Sequence, residues 1–409
     1  MTAYRTYAKR LPDRSYTPRA PRPAGTLVWI HAAEPGNPLA IEDLALRLCT
    51  TLHDVSVLIT VTDQSVFEQA KTYEMATPRI NLCAAPSEHP DAVETFLAHW
   101  CPDVCIWTWG ALRPNLVTNA QAEGCVFALI DADANGFDGS HNRWFPDMTR
   151  QLLDPFVSLM ARSDDGVKRL VRAGLKADRI DLTPPLQPGG NAMPCNDGDL
   201  TGLRAALGAR YVWFACHVQD SETDVVLAAH KRALQMAHRL LLILHPAQPD
   251  AAPIIKTKLG TQSLRCANWS EGDTVDDSVQ VLLGLDAADL GLFYRSAPIT
   301  LMGSSLKPGH TGRNPYEAAA LGSAVLYGPH TGPYLPFYSA LASAGAARVV
   351  KDAETLRAAV SALVAPEQAA AMAHAGWDIV SRGARLTDRV VDLVQAVLDD
   401  ELGTAHARP

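Results

Sequence analysis

The sequence has no uninterrupted stretch of about 18 apolar residues, the length a membrane-crossing helix requires, so no transmembrane segment is expected. It also has no apolar core between Met1 and Arg22, so no secretory leader is expected and the chain reads as cytoplasmic. Its eight cysteines (Cys49, Cys83, Cys101, Cys105, Cys125, Cys195, Cys216 and Cys266) lack C-x2-C spacing and matching histidine pairs. This argues against a metal site and fits buried thiols in a reducing compartment. Positive charge is also short. The net charge of −8 argues against a surface that grips nucleic acid, although a locally basic pocket for an anionic substrate remains compatible with it. No cofactor is expected.

What the sequence does have is apolar residues, 47% of 409, enough for two buried cores. Short β-rich runs recur in the first half at Leu27–Ile30, Val55–Thr60, Ile80–Cys83, Val104–Trp107, Val126–Ile130 and Val157–Met160. Several are apolar at successive positions, as strands buried on both faces of a parallel sheet are. The intervening segments are long enough for crossover helices. Thr183–Asp199 is rich in Pro, Gly, Asn and Asp and reads as a linker. The alternation then resumes with Tyr211–Cys216, Leu240–Leu244, Val279–Leu283, Ile299–Met302 and Ala324–Tyr327.

The predicted fold class is therefore α/β, with two facing Rossmann-like doubly wound domains and a cleft between them at the C-terminal ends of the strands. The boundaries read as a basic, Pro-rich segment at 1–26, a domain at 27–183, a linker at 184–208, a second domain at 209–375 and a helical segment at 376–409. Thr387–Leu402 is amphipathic, with Val390, Val391, Leu393, Val394 and Val397 on one side. In the N-terminal segment six basic residues stand against one acid, Asp13. That is either a disordered lead-in or an attraction to an anionic membrane surface.

The densest signal is GSSLKPGHTGRNPYEAAALGSAVLYGPH, Gly303–His330. It follows a strand and holds a Gly-rich loop with Lys307, His310, Gly312 and Arg313, then a helix start at Asn314-Pro315. Glycines allow close backbone approach, amides at a helix start favour an anion, and basic side chains add charge-assisted hydrogen bonds. Glu317, one turn on, suits a ribose diol. Equally, Asn314 and Glu317 have capping-box spacing and Pro315 is a favoured first helical residue, so the pair could serve the helix alone. His31, Glu34 and Asn37 follow the first strand, at a ligand-binding position or in a simple polar turn. His217, Asp220 and Glu222 follow Tyr211–Cys216, where Glu222 either faces the cleft or favours the helix dipole. His245-Pro246 ends the next strand.

GRNPYEAAALGSAVLYGPH resembles the GGxNPxE-A stretch ahead of Gly-Pro-His in the 3-deoxy-D-manno-octulosonic acid (Kdo) transferases, which are GT-B enzymes. RPAGTLVWIHAA, LRPNLV (Leu112–Val117), VLAAHKRAL, LLILHP and DLGLFYRSAP extend the resemblance from about Pro21 to Leu398. It implies an inverting transfer of Kdo from a CMP-activated donor to a lipid A precursor, on the cytoplasmic face of the inner membrane. The first domain would take the acceptor and the second the nucleotide-sugar. Asn314 and Glu317 would then hold the cytidine ribose, Gly312 and Arg313 the phosphate, with Asp289, Pro246 and His330 on the donor side. This chain departs from the family at several positions. Asn37 stands where the family has its base Glu, leaving Glu34 or His31 for that role. Trp109 and Ala111 replace acidic residues, Gln187 a Lys and Ala247 an Arg. A nucleotide- or lipid-binding protein with impaired catalysis, or a transferase of a different sugar, would fit these changes as well.

Overall fold

The structure, a computed structural model, describes residues 2–11, 15–33, 38–62, 78–135, 148–189 and 193–406. The chain divides into two compact units, Met1–Gly189 with Arg382–Pro409, and Gly190–Ser381.

The first unit is built on a seven-stranded sheet in the order β3-β2-β1-β4-β5-β6-β7. The strands are β1 (Thr26–Ala32), β2 (Val55–Val61), β3 (Ile80–Ala84), β4 (Val104–Thr108), β5 (Val126–Ala132), β6 (Ser158–Ala161) and β7 (Ile180–Leu182). Every pairing is parallel. Strands such as β2 and β4 are buried at every residue, which explains their unbroken apolar runs. Trp29, Phe96, Leu97, Trp107 and Phe127 fill one face of the sheet. Val28, Ile30, Leu44 and Leu48 fill the other, together with Leu386, Val390, Val391 and Val394.

Those last four residues alter the expected domain plan. The final helix runs from Pro366 to His406, and its second half packs into the first unit rather than forming a separate C-terminal segment at 376–409. The N-terminal segment differs from a disordered lead-in too. A helix at Thr2–Ala8 buries Tyr4 and Ala8, and the Tyr4 hydroxyl donates to Glu88 Oε2 at 2.9 Å. Tyr16 accepts from Trp100 Nε1 at 2.9 Å, and Arg22 Nε donates to the Trp100 carbonyl at 2.8 Å.

The second unit repeats the design with the sheet order β10-β11-β9-β8-β12-β13-β14. Its strands are β8 (Val212–Val218), β9 (Leu241–Pro246), β10 (Cys266–Asn268), β11 (Val281–Leu283), β12 (Ile299–Met302), β13 (Ala324–Tyr327) and β14 (Ala347–Val349), all parallel. The fold class is thus α/β, with two doubly wound parallel-sheet units. Three strands had no counterpart in the sequence reading: β7, β10 and β14. Each has three residues and sits at a sheet edge, so none carries a long apolar run. In each unit the strand order reverses beside the first strand, between β1 and β4 and between β8 and β12. Ligands bind doubly wound sheets at the carboxyl ends of such a strand pair.

Candidate functional site

In the second unit that switch point is tightly built. His217, the last residue but one of β8, stands at φ 48°, and β12 gives way to Gly303 and to Ser304 at φ 58°. A Cβ on Gly303 would lie 2.4 Å from the Cys216 carbonyl, so the two strand ends meet backbone to backbone and only glycine fits. Glu222 is fully buried beneath the turn. Its carboxylate accepts from the Gln219 amide at 3.0 Å, the Ser304 amide at 2.7 Å and the Leu306 amide at 2.6 Å. A buried carboxylate is tolerated when amides satisfy it, each such charged hydrogen bond being worth about 1.5–3 kcal/mol. Glu222 therefore does more than favour its helix dipole; it closes the capping box of the helix Asp220–Ala233 and ties that helix to the loop after β12.

From this loop the Gly-rich segment is held in turn. The Ser304 carbonyl accepts from the Gly312 amide at 2.8 Å, and the Ser305 carbonyl accepts from the His330 amide at 2.9 Å. Ser305 Oγ accepts from the Gly328 amide at 2.8 Å. Gly312 (φ 67°) and Gly328 are required here, since a Cβ on Gly328 would sit 2.1 Å from the Ser305 carbonyl.

Above this frame lie Arg313, Glu317, His217 and His245. Among the described residues the Arg313 guanidinium makes no hydrogen bond or ion pair, while the Arg313 carbonyl accepts from Tyr338 Oη at 2.8 Å. The His217 and His245 rings meet edge to face at 4.9 Å. Burial, then the neighbouring His245 and Arg313, hold His217 down at about 3. Burial and Arg313 hold His245 at about 4, against the pull of Asp286. Both imidazoles are therefore neutral near pH 7, and His245 Nδ1 is buried without a hydrogen-bond partner among the described residues. Glu317 is half-buried, and burial pushes its carboxyl up to about 7 although Arg313 and the Tyr294 hydroxyl act the other way.

The structure separates the two sequence readings of Asn314 and Glu317. Asn314 Oδ1 accepts from the Tyr316 amide at 3.0 Å, so Asn314 caps the start of the five-residue helix Tyr316–Ala320. That occupies the first amide expected to face an anion. Glu317 instead takes the Tyr294 hydroxyl, at 3.4 Å. Tyr294 stands within DLGLFYRSAP, where no spacing rule marked it.

The other predicted donor-side residues are more scattered. His330 is half-buried beside Ser305, and Pro246 is buried at the end of β9, paired with Val218. Asp289 starts the helix Leu290–Ser296, where burial and then Asp286 and Asp199 raise its carboxyl. No hydrogen bond or ion pair joins it to Arg313 or Glu317 among the described residues. Lys307 and His310 are exposed.

At the mouth of the first sheet, His31 is fully buried. Its Nδ1 bonds Thr60 Oγ1 at 2.7 Å, its ring lies 4.0 Å from that of Trp107, and Nε2 has no hydrogen-bond partner among the described residues. Burial and the nearby Arg113 push its proton affinity well below the usual imidazole range. Glu34 and Asn37 lie outside the described residues. Where the family has acids, Trp109 is buried and donates through Nε1 to the Asn135 carbonyl, and Ala111 is exposed. Glu88 faces the start of the helix Pro114–Ala122 and accepts from the amides of Asn115 at 2.8 Å and Leu116 at 3.1 Å.

Comparison with known proteins agrees with the motifs. The family profile of 3-deoxy-D-manno-octulosonic-acid transferase (kdotransferase) matches residues 9–187. A probable mitochondrial 3-deoxy-D-manno-octulosonic acid transferase of Arabidopsis thaliana is 29% identical over 82% of this chain and 76% of its own length. The Bordetella pertussis transferase of the same name is 29% identical over 94% of this chain and 90% of its own. That of Haemophilus influenzae is 24% identical over 96% and 92%. Over most of its length, then, this chain is similar to the 3-deoxy-D-manno-octulosonic acid transferases.

Proposed function

We propose that this glycosyltransferase moves a Kdo-type sugar from a CMP-activated donor, with inversion, to a lipid A precursor in lipopolysaccharide biosynthesis. The observation that carries the donor half is the Arg313 guanidinium, without a hydrogen bond or ion pair among the described residues, set with two neutral imidazoles and Glu317 at the switch point of the second sheet. A cation that makes no hydrogen bond or ion pair to a carboxylate among the described residues suits a phosphate, and inversion requires that the leaving phosphate be stabilised. Gly312 brings backbone close to the same group. Glu317 accepts from the ribose diol, and Asn314, whose Oδ1 serves the Tyr316 amide, has its Nδ2 to donate. His330, Pro246 and Asp289 complete the donor side.

A single displacement also needs a base for the acceptor hydroxyl. With Asn37 unable to take a proton, Glu34 is the base. His31 is disfavoured, because its burial opposes protonation. The acceptor is a lipid, and exposed Lys9, Arg10 and Arg19 support attraction to an anionic membrane face, at about 1 kcal/mol per basic residue near the surface. No helix among the described residues is long and apolar enough to cross a membrane.

The test is CMP release from CMP-Kdo in the presence of lipid A precursor, with product identified by mass. Absence of release together with tight CMP binding would favour a second reading, a nucleotide- or lipid-binding relative that has lost turnover. The substitution at Asn37 motivates that reading. Release only with another nucleotide-sugar would point to a transferase of a different sugar.

A further inference from the structure

Glu222 is neither in the predicted donor set nor exposed to a ligand, yet the loop that bonds the backbone of Gly312, Gly328 and His330 is tied to it. Its carboxylate gathers three amides from two separate elements: Gln219 at the helix start, and Ser304 and Leu306 in the loop after β12. Gln219 reinforces the same link, its Nε2 donating to Ser304 Oγ at 2.9 Å, and Ser304 Oγ donates to the His217 carbonyl at 2.9 Å. The loop so held presents its own carbonyls to Gly312 and His330 and its Ser305 hydroxyl to Gly328. One buried acid thus ties the loop that bonds Gly312 and His330 to the helix start that follows His217.

We propose that Glu222 is a positioning residue for the donor nucleotide: it does not touch the ligand, but holds the loop Ser304–Leu306 that carries the phosphate-facing turn. This rests on the donor-site reading above. The reason lies in the arrangement of donors. Three amides converging on one point in a buried space require an acceptor that takes all three, and only a carboxylate supplies two oxygens with enough lone pairs. Glutamine offers one oxygen. With that oxygen kept on Gln219 and Ser304, its NH2 group faces the Leu306 amide, donor against donor, and the loop is released there. Aspartate is one methylene too short to span to the loop from its own helix.

The experiment compares wild type, Glu222→Gln, Glu222→Asp and Gln219→Ala by CMP calorimetry and by steady-state kinetics against both substrates. Wild type that does not bind CMP overturns the donor-site reading, and this inference with it. Given wild-type binding, Glu222→Gln and Glu222→Asp are expected to weaken CMP by roughly ten-fold or more, and Gln219→Ala by roughly three-fold, the scale of one lost hydrogen bond to a charged or neutral group. Donor KM rises in each while acceptor KM stays at the wild-type value, a split that general loosening of the fold would not produce. Unchanged CMP affinity in a folded Glu222→Gln protein overturns the inference. Should both Glu222 variants fail to fold, the half-buried Gln219→Ala decides, and unaltered CMP affinity there overturns it equally.

Discussion

The Tyr294 hydroxyl lies 3.4 Å from Glu317 Oε2, at the bottom of a site where burial raises that carboxyl to about 7. Free Glu titrates near 4.5, so between the two values the folded protein retains a proton that the unfolded chain has lost. The contribution of this group to stability is therefore complete below about 4.5 and disappears as pH rises through about 7. Ligand binding runs the other way. A ribose diol donates to the ionised carboxylate, so CMP affinity rises with pH up to about 7 and then levels, with a proton released on binding. Calorimetry in buffers of different ionisation enthalpy measures that proton. Glu317→Gln removes the pH dependence that exceeds the titration of CMP's own phosphate; an identical pH profile in the variant refutes the assignment.

In the first unit, Thr60 is the shared partner of two buried side chains, accepting from Trp29 Nε1 at 2.8 Å and bonding His31 Nδ1 at 2.7 Å. Thr60→Val keeps the shape and orphans both. The expected loss is about 2–6 kcal/mol, since each of the two buried groups left without a partner costs about 1–3 kcal/mol. Urea denaturation reads it, and a loss below about 0.5 kcal/mol would mean that water or a rearrangement supplies the missing partner.

Close backbone approach at the donor loop gives a third expectation. Gly328→Ala would bring Cβ to 2.1 Å from the Ser305 carbonyl, so the loop must move, at a cost of about 1–3 kcal/mol and with weakened CMP binding. Gly260 is the contrasting case: it lies in the helix Ala252–Thr261, and a methyl group added there would have nothing within 4 Å, so Gly260→Ala stabilises by up to about 1 kcal/mol. Opposite signs in thermal denaturation check the pair.

The base assignment predicts that Glu34→Gln lowers kcat by about 100-fold or more with CMP affinity unchanged, the usual scale for a lost general base. Asn37→Glu, which restores the residue type found in the family, is expected to raise kcat. Full activity in Glu34→Gln would remove Glu34 from the mechanism.

Much of the architecture could be read in advance because strands buried on both faces must be apolar throughout. Val55–Thr60 and Val104–Trp107 carry that pattern locally and emerge as β2 and β4. The short edge strands β7, β10 and β14 could not be read, because three residues with exposed positions resemble a loop. The Gly303–His330 segment stood out for its glycines and basic residues, which are requirements of the local backbone and charge. Spacing alone could not divide the labour between Asn314 and Glu317, since a cap and a ligand-binding pair have the same sequence signature.

Composition and local pattern were enough to establish an α/β chain with two doubly wound halves, the helical character of Thr387–Leu402 and the motifs that carry the family resemblance. Those properties depend on neighbours a few residues apart. Long-range packing supplied the rest: the last helix serves the first unit, Tyr4 and Tyr16 anchor the N-terminal segment, and Glu222 joins residues more than eighty positions away. A carboxylate's partners are chosen by whatever amides the folded chain leaves unpaired around it, and that is a property of three-dimensional proximity that no single stretch of sequence encodes.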